Sequence, residues 1–198
     1  LYLGRGVQVS DVQRQIDKAL QGRLWSGLSA ESAADQRYAV LSQIQATLGE
    51  LSGRDVSSEL TAFFNSWSEL SNGNQSSSIV VQQGARLAEF LRSRRDELSN
   101  MRLQSERQLG QAVTQADTIL SQVAELNGRI AEAESGGATA NTLRDQRDQL
   151  ISQLSQYADV SVIEQGSRTD ILVGSTPVVL GNQSLGLELR RTTENNTT

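Results

Sequence analysis

The sequence contains no cysteine and no histidine among its 198 residues. Without cysteine, the chain can form no disulfide, no thiolate zinc site and no cysteine nucleophile of its own. Without histidine, it lacks the imidazole base that usually activates a catalytic serine. These two absences exclude several of the commonest enzymatic and metal-binding chemistries.

Proline and aromatic residues are also scarce, since Pro177 is the only proline and aromatics make up 4% of the chain. Because proline interrupts helices, a chain almost free of it can form long ones. A hydrophobic content of 37% suits helices packed along narrow apolar seams better than a thick globular core. We therefore expect long helices.

The charge pattern gives no sign of a nucleic-acid or membrane partner. The net charge is −5, Lys18 is the only lysine, and the arginines are scattered among acidic residues without forming a basic stripe. No apolar run approaches the length that spans a bilayer. Residues 1–4 are not expected to begin a cleaved signal peptide, and both ends of the chain are expected to be cut from a longer protein.

Apolar residues at three- and four-residue spacing predict a first helix over residues 10–51, with Ser10 as its N-cap. A kink at 25–27 remains open, as does the continuity of this helix. A shorter helix is predicted over 57–70. Its aromatic stripe is expected to form the densest part of the core, in preference to a ligand- or partner-binding face, and comprises Leu60, Phe63, Phe64, Trp67 and Leu70.

The longest helical run is predicted over residues 79–134. Its second half alternates apolar residues four and three apart, which is a heptad seam, with Asn127 at a core position that commonly fixes register. A helix of roughly 55 residues would extend about 80 Å, so an elongated molecule is expected. Packing within one chain as an antiparallel bundle is favoured over an intermolecular coiled coil.

The last predicted helix covers residues 142–157, capped by Asn141 or Thr142, with Arg147 among its inward-facing residues. The period then changes to two. Antiparallel strands are predicted at 160–163, 170–173, 178–180 and 185–189. The expected fold is mainly α with a β portion: a long-helix bundle domain over 1–157, then the start of an antiparallel β domain, itself incomplete, over 158–198.

Two carboxylate pairs are candidates for general acid–base groups: Asp145 with Asp148, and Glu132 with Glu134. Solvated helix faces beside arginines are the stronger interpretation for both pairs. Arg144 and Asp148 are also spaced for an i, i+4 ion pair on an outer face. The sequence therefore predicts no catalytic, cofactor-binding or metal-binding residue, and no cofactor.

Four stretches in this order resemble the hook-associated protein 1 family of the bacterial flagellum, the hook–filament junction proteins. They are the lead into the first helix (4–17), the aromatic helix (58–67), Ala-Glu-Leu-Asn-Gly-Arg-Ile (124–130) and Asn-Thr-Leu-Arg-Asp-Gln-Arg-Asp-Gln-Leu-Ile (141–151). The resemblance extends to about Gly181. The chain departs from the family after the aromatic helix, where residues 71–76 lack the usual proline. It also lacks the terminal helices through which proteins of this family assemble.

The resemblance implies a non-enzymatic adaptor subunit that joins hook to filament in a ring of its own copies. Its neighbours would be the hook protein and the next hook–filament junction protein, and a flagellar export chaperone would bind a C-terminal region outside this chain. The protein would be extracellular, exported through the flagellar channel without a cleaved signal peptide. The fragment itself is expected to be monomeric.

Two other function classes remain open from the residues alone. One is a non-enzymatic coiled-coil interaction protein of a secretion system or a phage tail. The other is an enzyme that uses Asp145 or Asp148. A turnover lost in Asp148→Ala with the fold intact would favour the enzyme.

Overall fold

The structure, a computed structural model, describes residues 14–49, 55–74, 76–137 and 139–190. These residues form a mainly α fold with a small antiparallel sheet, which confirms the predicted fold class. The elements are α1 (Lys18–Leu48), α2 (Val56–Ser71), α3 (Ser77–Glu134), α4 (Asn141–Leu154), β1 (Val160–Gln165), β2 (Arg168–Val173), β3 (Thr176–Leu180) and β4 (Gln183–Ser184).

The start predicted for the first helix is wrong. Ser10 lies outside the described residues, but residues 14–17 are not helical and α1 begins at Lys18. The Asp17 carboxylate accepts the backbone N–H groups of Ala19 and Leu20 at 3.0 and 3.1 Å, so it caps the helix. From there α1 is one helix through residues 25–27, where a kink had been left open.

The bounds of α2 and α3 lie within two residues of those predicted. α2 is capped by Asp55, whose carboxylate accepts the Ser58 N–H at 2.6 Å and thereby has its pKa lowered. α3 has 58 residues with no break. Nothing in the apolar pattern or the composition of this run forces a kink, which is why its length was predictable.

The described residues pack as two compact units, one within residues 34–110 and one within residues 1–33 and 111–198. The unit containing 111–198 has the larger core. Residues from α1, α3, α4 and three of the strands share it: Trp25, Ala116, Ile119, Leu120, Val123, Ala124, Ile151, Leu154, Val160, Ile171, Val178 and Val179. The division predicted from the sequence, into a helical domain over 1–157 and a β domain over 158–198, stays a prediction.

The unit of residues 34–110 buries much less. Among its described hydrophobic residues only Val80 is fully buried. Phe64 is 63% exposed and Trp67 is 51% exposed, so the expectation that α2 carries the densest core is wrong. Phe63 is half-buried, and its ring lies close to Gly84 of α3. Amphipathic spacing tells which residues share a face, but not whether another element covers that face.

The sheet is antiparallel, in the order β1-β2-β3-β4. Three strands lie close to their predicted positions, but the fourth prediction is wrong. β4 is only Gln183–Ser184, and residues 185–190 are not a strand. Gly186 takes a positive φ of 75°, and the Leu187 N–H donates to the Asp117 carboxylate of α3 at 3.1 Å. The Leu185 N–H still donates to the Val178 carbonyl of β3 at 2.8 Å, so bonding to the sheet continues to Leu185 and the backbone of Leu187 bonds to α3 instead.

Candidate functional site

A cluster of polar side chains lies inside the unit that contains residues 111–198. We call it the polar joint, and its members are Arg14, Gln21, Asn127, Arg147 and Asp148. Burying such groups is costly unless each is hydrogen-bonded or paired with an opposite charge. The partners of each member therefore show what holds this unit together.

Asn127 connects α3 to the sheet. Its side-chain N–H groups donate to the backbone carbonyls of Thr169 and Gly181, both at 2.7 Å, and its side-chain oxygen accepts from Arg147 at 3.0 Å. Asn127 is 2% exposed, so these bonds replace solvent almost completely. The interpretation of Asn127 as a residue that fixes coiled-coil register is wrong, because its partners belong to a sheet and to α4.

Gly181 lets the β3–β4 turn present its carbonyl to Asn127. Its φ is 59°, a value that side chains disfavour, and an added Cβ would lie 3.4 Å from Arg168 Nε. The Gly181 N–H donates to Asp170 at 2.7 Å. Arg168, which donates to the same carboxylate at 2.8 Å, holds the pKa of Asp170 below its ordinary value. The turn is therefore fixed through both backbone polar groups of Gly181.

Arg147 is the largest fully buried side chain of the described residues. It donates to Asn127 at 3.0 Å and to the Ser167 carbonyl at 3.2 Å, so it links α4 to α3 and to the β1–β2 turn. Burial lowers the pKa of Arg147, and the Asp148 charge opposes that effect. Because guanidinium groups stay protonated in proteins, Arg147 is a buried cation. The sequence correctly predicted that it faces inward.

Asp148 supplies the buried anion of the joint. Its Oδ2 accepts from the Arg14 guanidinium and from Gln21 Nε2, the latter at 2.7 Å. The prediction that Asp145 and Asp148 both lie on a solvated face is wrong for Asp148, which is 6% exposed. It holds for Asp145, which is exposed and lies 2.8 Å from Arg14 Nε.

Arg144 pairs with Glu134, and not with Asp148 as its spacing had suggested. Its guanidinium donates to both carboxylate oxygens of Glu134, at 2.7 and 2.8 Å, and holds the pKa of Glu134 below its ordinary value. Glu134 also accepts the Ala140 N–H at 3.0 Å. Ala140 is the N-cap of α4, so the side-chain cap predicted at Asn141 or Thr142 is wrong. Glu134 thus connects the two helices across their turn.

This arrangement is suited to holding elements together and poorly suited to acid–base chemistry. Asp148 and Glu134, one from each carboxylate pair, are both engaged by arginines. A lowered pKa keeps Glu134 ionised near neutral pH, whereas a general acid needs its proton there. Within the described ranges, no three acidic, histidine or cysteine residues cluster as metal ligands, and no helix is long and apolar enough to cross a membrane.

The polar joint lies where three of the resembling sequence stretches meet. Arg14 comes from 4–17, Asn127 from 124–130, and Arg147 and Asp148 from 141–151. A family model described as the flagellar hook-associated protein FlgK helical domain matches residues 41–198. The chain belongs to this family. The match includes α2, α3, α4 and the sheet, and with them Asn127, Arg147 and Asp148.

Relatives and a solved structure agree with the FlgK assignment. The chain is 32% identical to flagellar hook-associated protein 1 of Bacillus subtilis, covering 94% of this chain and 39% of the relative. It is 30% identical to the protein of that name from Salmonella typhimurium, covering 85% and 31%. The structure of the flagellar hook junction protein FlgK from Burkholderia pseudomallei superimposes with a TM-score of 0.75 at 28% identity, covering 82% of this chain and 29% of that one. The chain therefore spans about a third of the length of these relatives.

Proposed function

We propose that the protein is a structural subunit of the bacterial flagellum that joins the hook to the filament, and that it catalyses no reaction. The observation that carries this proposal is the FlgK helical-domain match over residues 41–198, together with relatives named for the hook. The polar joint supports the non-catalytic part of the proposal, because its charged groups bind one another and the backbone.

A subunit between two tubes has to transmit force without changing its own shape. In the unit that contains 111–198, the ends of α3 and α4 are connected by Glu134 and Arg144, and both helices bond to the turns of the sheet. Hydrogen bonds are directional, so they resist sliding that an apolar contact would allow. The polar joint would make this unit rigid under load.

The partners and the location follow from the family and form the finer part of the proposal. The subunit assembles in a ring of its own copies, between the hook protein and the next hook–filament junction protein, outside the cell. It reaches that place through the flagellar export channel without a cleaved signal peptide, helped by an export chaperone. In the full-length protein the sheet is the start of a larger β domain, and the 198-residue chain alone is a monomer.

Immunogold labelling of flagella with antibodies against this chain tests the location. Gold should lie at the point where hook meets filament, and deleting the gene should leave hooks that carry no filament. Gold along the filament, or filaments that persist in the deletion strain, would contradict the proposal. Sedimentation of the purified 198-residue chain as a stable dimer would contradict the monomer.

Complementation of the deletion strain tests the contribution of the polar joint. A full-length gene carrying Arg147→Ala should restore swimming poorly in viscous medium, and Arg107→Ala, at an exposed position of α3, should restore it fully. Export of both variants is measured by blotting the medium, so that lost secretion is distinguished from lost stiffness. Normal swimming by exported Arg147→Ala would show that the joint has no mechanical role.

A further inference from the structure

Residues 14–17, which precede α1, and residues 18–24, which begin it, shield polar side chains and expose apolar ones. We call residues 14–24 the strap. Only Arg14 and Gln21 of the strap are partly shielded from solvent, and its large apolar residues are all exposed: Ile16, Leu20 and Leu24. An ordinary surface helix places apolar residues inward and polar ones outward. The strap therefore buries less apolar surface than an ordinary surface helix does.

One buried carboxylate accepts two hydrogen bonds from the strap. Arg14 and Gln21 both donate to Oδ2 of Asp148. Two ion pairs add to these bonds: Arg14 Nε lies 2.8 Å from Asp145, and Lys18 lies 2.5 Å from Glu164. The Asp145 side chain is 66% exposed and the Lys18 side chain is 73% exposed, so solvent screens both pairs and they contribute little. Asp148 is therefore the one buried acceptor among these contacts.

Trp25 marks the end of the strap. It is buried, it belongs to the core cluster, and its indole N–H donates to the Ser152 hydroxyl at 2.9 Å. Gly22 lies just before it, within the helix, where an added Cβ would meet nothing within 4 Å. Glycine inside a helix lowers local helix stability. The chain therefore changes from weakly packed residues at 22–24 to a buried residue at Trp25 within one turn of helix.

We propose that the strap is a releasable latch: residues 14–24 detach from the folded unit as far as Trp25, while the core formed by α3, α4 and the sheet stays intact. Segments that bury little apolar surface open at a small fraction of the free energy of global unfolding. Asp148 is the acceptor that the strap releases when it opens, and Trp25 stays buried in the core. The inference does not depend on the flagellar function.

Hydrogen–deuterium exchange followed by mass spectrometry of the whole chain tests the latch. In the parent chain, amides of residues 20–24 should exchange at least about tenfold faster than amides of 119–126. Gln21→Met, which keeps side-chain length but removes the donor to Asp148, should accelerate exchange in 20–24 by about tenfold and leave 119–126 unchanged. Gln15→Met, at an exposed strap position that precedes the helix, is the matched control and should change neither segment.

Gly22→Ala supplies a test in the opposite direction. It adds a helix-favouring methyl group in open space, so it should slow exchange in residues 20–24 by about fivefold. Equal protection of 20–24 and 119–126 in the parent chain would overturn the proposal. So would a Gln21→Met variant in which both segments accelerate together, since that would make the strap part of the global unfolding unit.

Discussion

The two halves of α3 share one helix and one kind of apolar spacing, yet they differ in how much they bury. Among hydrophobic residues, the described stretch 77–110 buries only Val80. Residues 111–134 bury most of theirs: Ala116, Ile119, Leu120, Val123, Ala124, Leu126 and Ile130. The second half has α4 and a sheet as partners for its seam. A heptad pattern therefore predicts a helix with an apolar face, but the elements around it decide how much of that face is removed from water.

Truncating one leucine in each half should give the largest contrast. Leu120→Ala leaves a cavity at a fully buried position and should lower the free energy of unfolding by about 3–4 kcal/mol. Leu91→Ala, at a 44% exposed position of the first half, should cost less than about 1 kcal/mol. Urea unfolding should be followed by circular dichroism and by Trp25 emission in a Trp67→Phe background. Similar losses of unfolding free energy in both variants would contradict the difference in burial between the two halves of α3.

Asn127 and Asn100 extend the comparison to polar residues on the same helix. Asn127→Leu removes two bonds to buried carbonyls and one partner of a buried cation, so it should destabilise by about 2–4 kcal/mol. Asn100→Leu, at an exposed position, should change stability by less than about 0.5 kcal/mol. A coiled-coil core position would behave otherwise, because Leu there stabilises the seam. If Asn127→Leu raised the free energy of unfolding instead, Asn127 would be a residue that fixes coiled-coil register.

Acid should weaken the unit that contains 111–198 through Glu134. Its folded-state pKa lies below its unfolded value, so its stabilisation is complete above the ordinary glutamate pKa and is lost as the pH falls through the lowered value. Glu134→Gln should therefore cost about 1 kcal/mol at pH 7 and less at pH 3, where more of the carboxyl group is protonated. Glu132→Gln, at an exposed position, is the matched control. Urea midpoints at both pH values measure the effect, and equal costs at pH 3 and pH 7 would contradict it.

The last comparison is between two neighbouring rings of the aromatic helix α2. Phe64→Ala removes a ring that is 63% exposed and should cost less than about 1 kcal/mol. Phe63→Ala, whose half-buried ring lies beside Gly84, should cost about 2 kcal/mol. Thermal unfolding followed by circular dichroism compares the two. If Phe64→Ala lowered the melting temperature more than Phe63→Ala did, Phe64 would contribute more to the core of residues 34–110 than the exposure of its ring indicates.

Sequence reasoning succeeded where the signal is local. The bounds of α3 and the positions of the first three strands depend on neighbouring residues, so pattern and composition were enough to predict them. It failed where a distant partner decides. The sequence predicts Ser10 as the cap of the first helix, whereas Asp17 caps α1 in the structure. Serine and aspartate are both common caps, so residue type alone does not decide where the helix begins. Leu185, Leu187 and Leu189 alternate like a strand, but Asp117 draws the backbone of Leu187 towards α3.

The sequence by itself determined a mainly helical chain without disulfides, an uninterrupted α3, and membership of a flagellar family through stretches such as 124–130 and 141–151. Only the tertiary structure decided what those stretches do. Asn127 and Asp148 have the same sequence signature whether they are solvated, fix a register or bond to a sheet. Their roles come from residues 20 to 134 positions away in the chain, brought close by folding. Helical periodicity is a property of neighbours, whereas the pairing of buried charges depends on the three-dimensional fold.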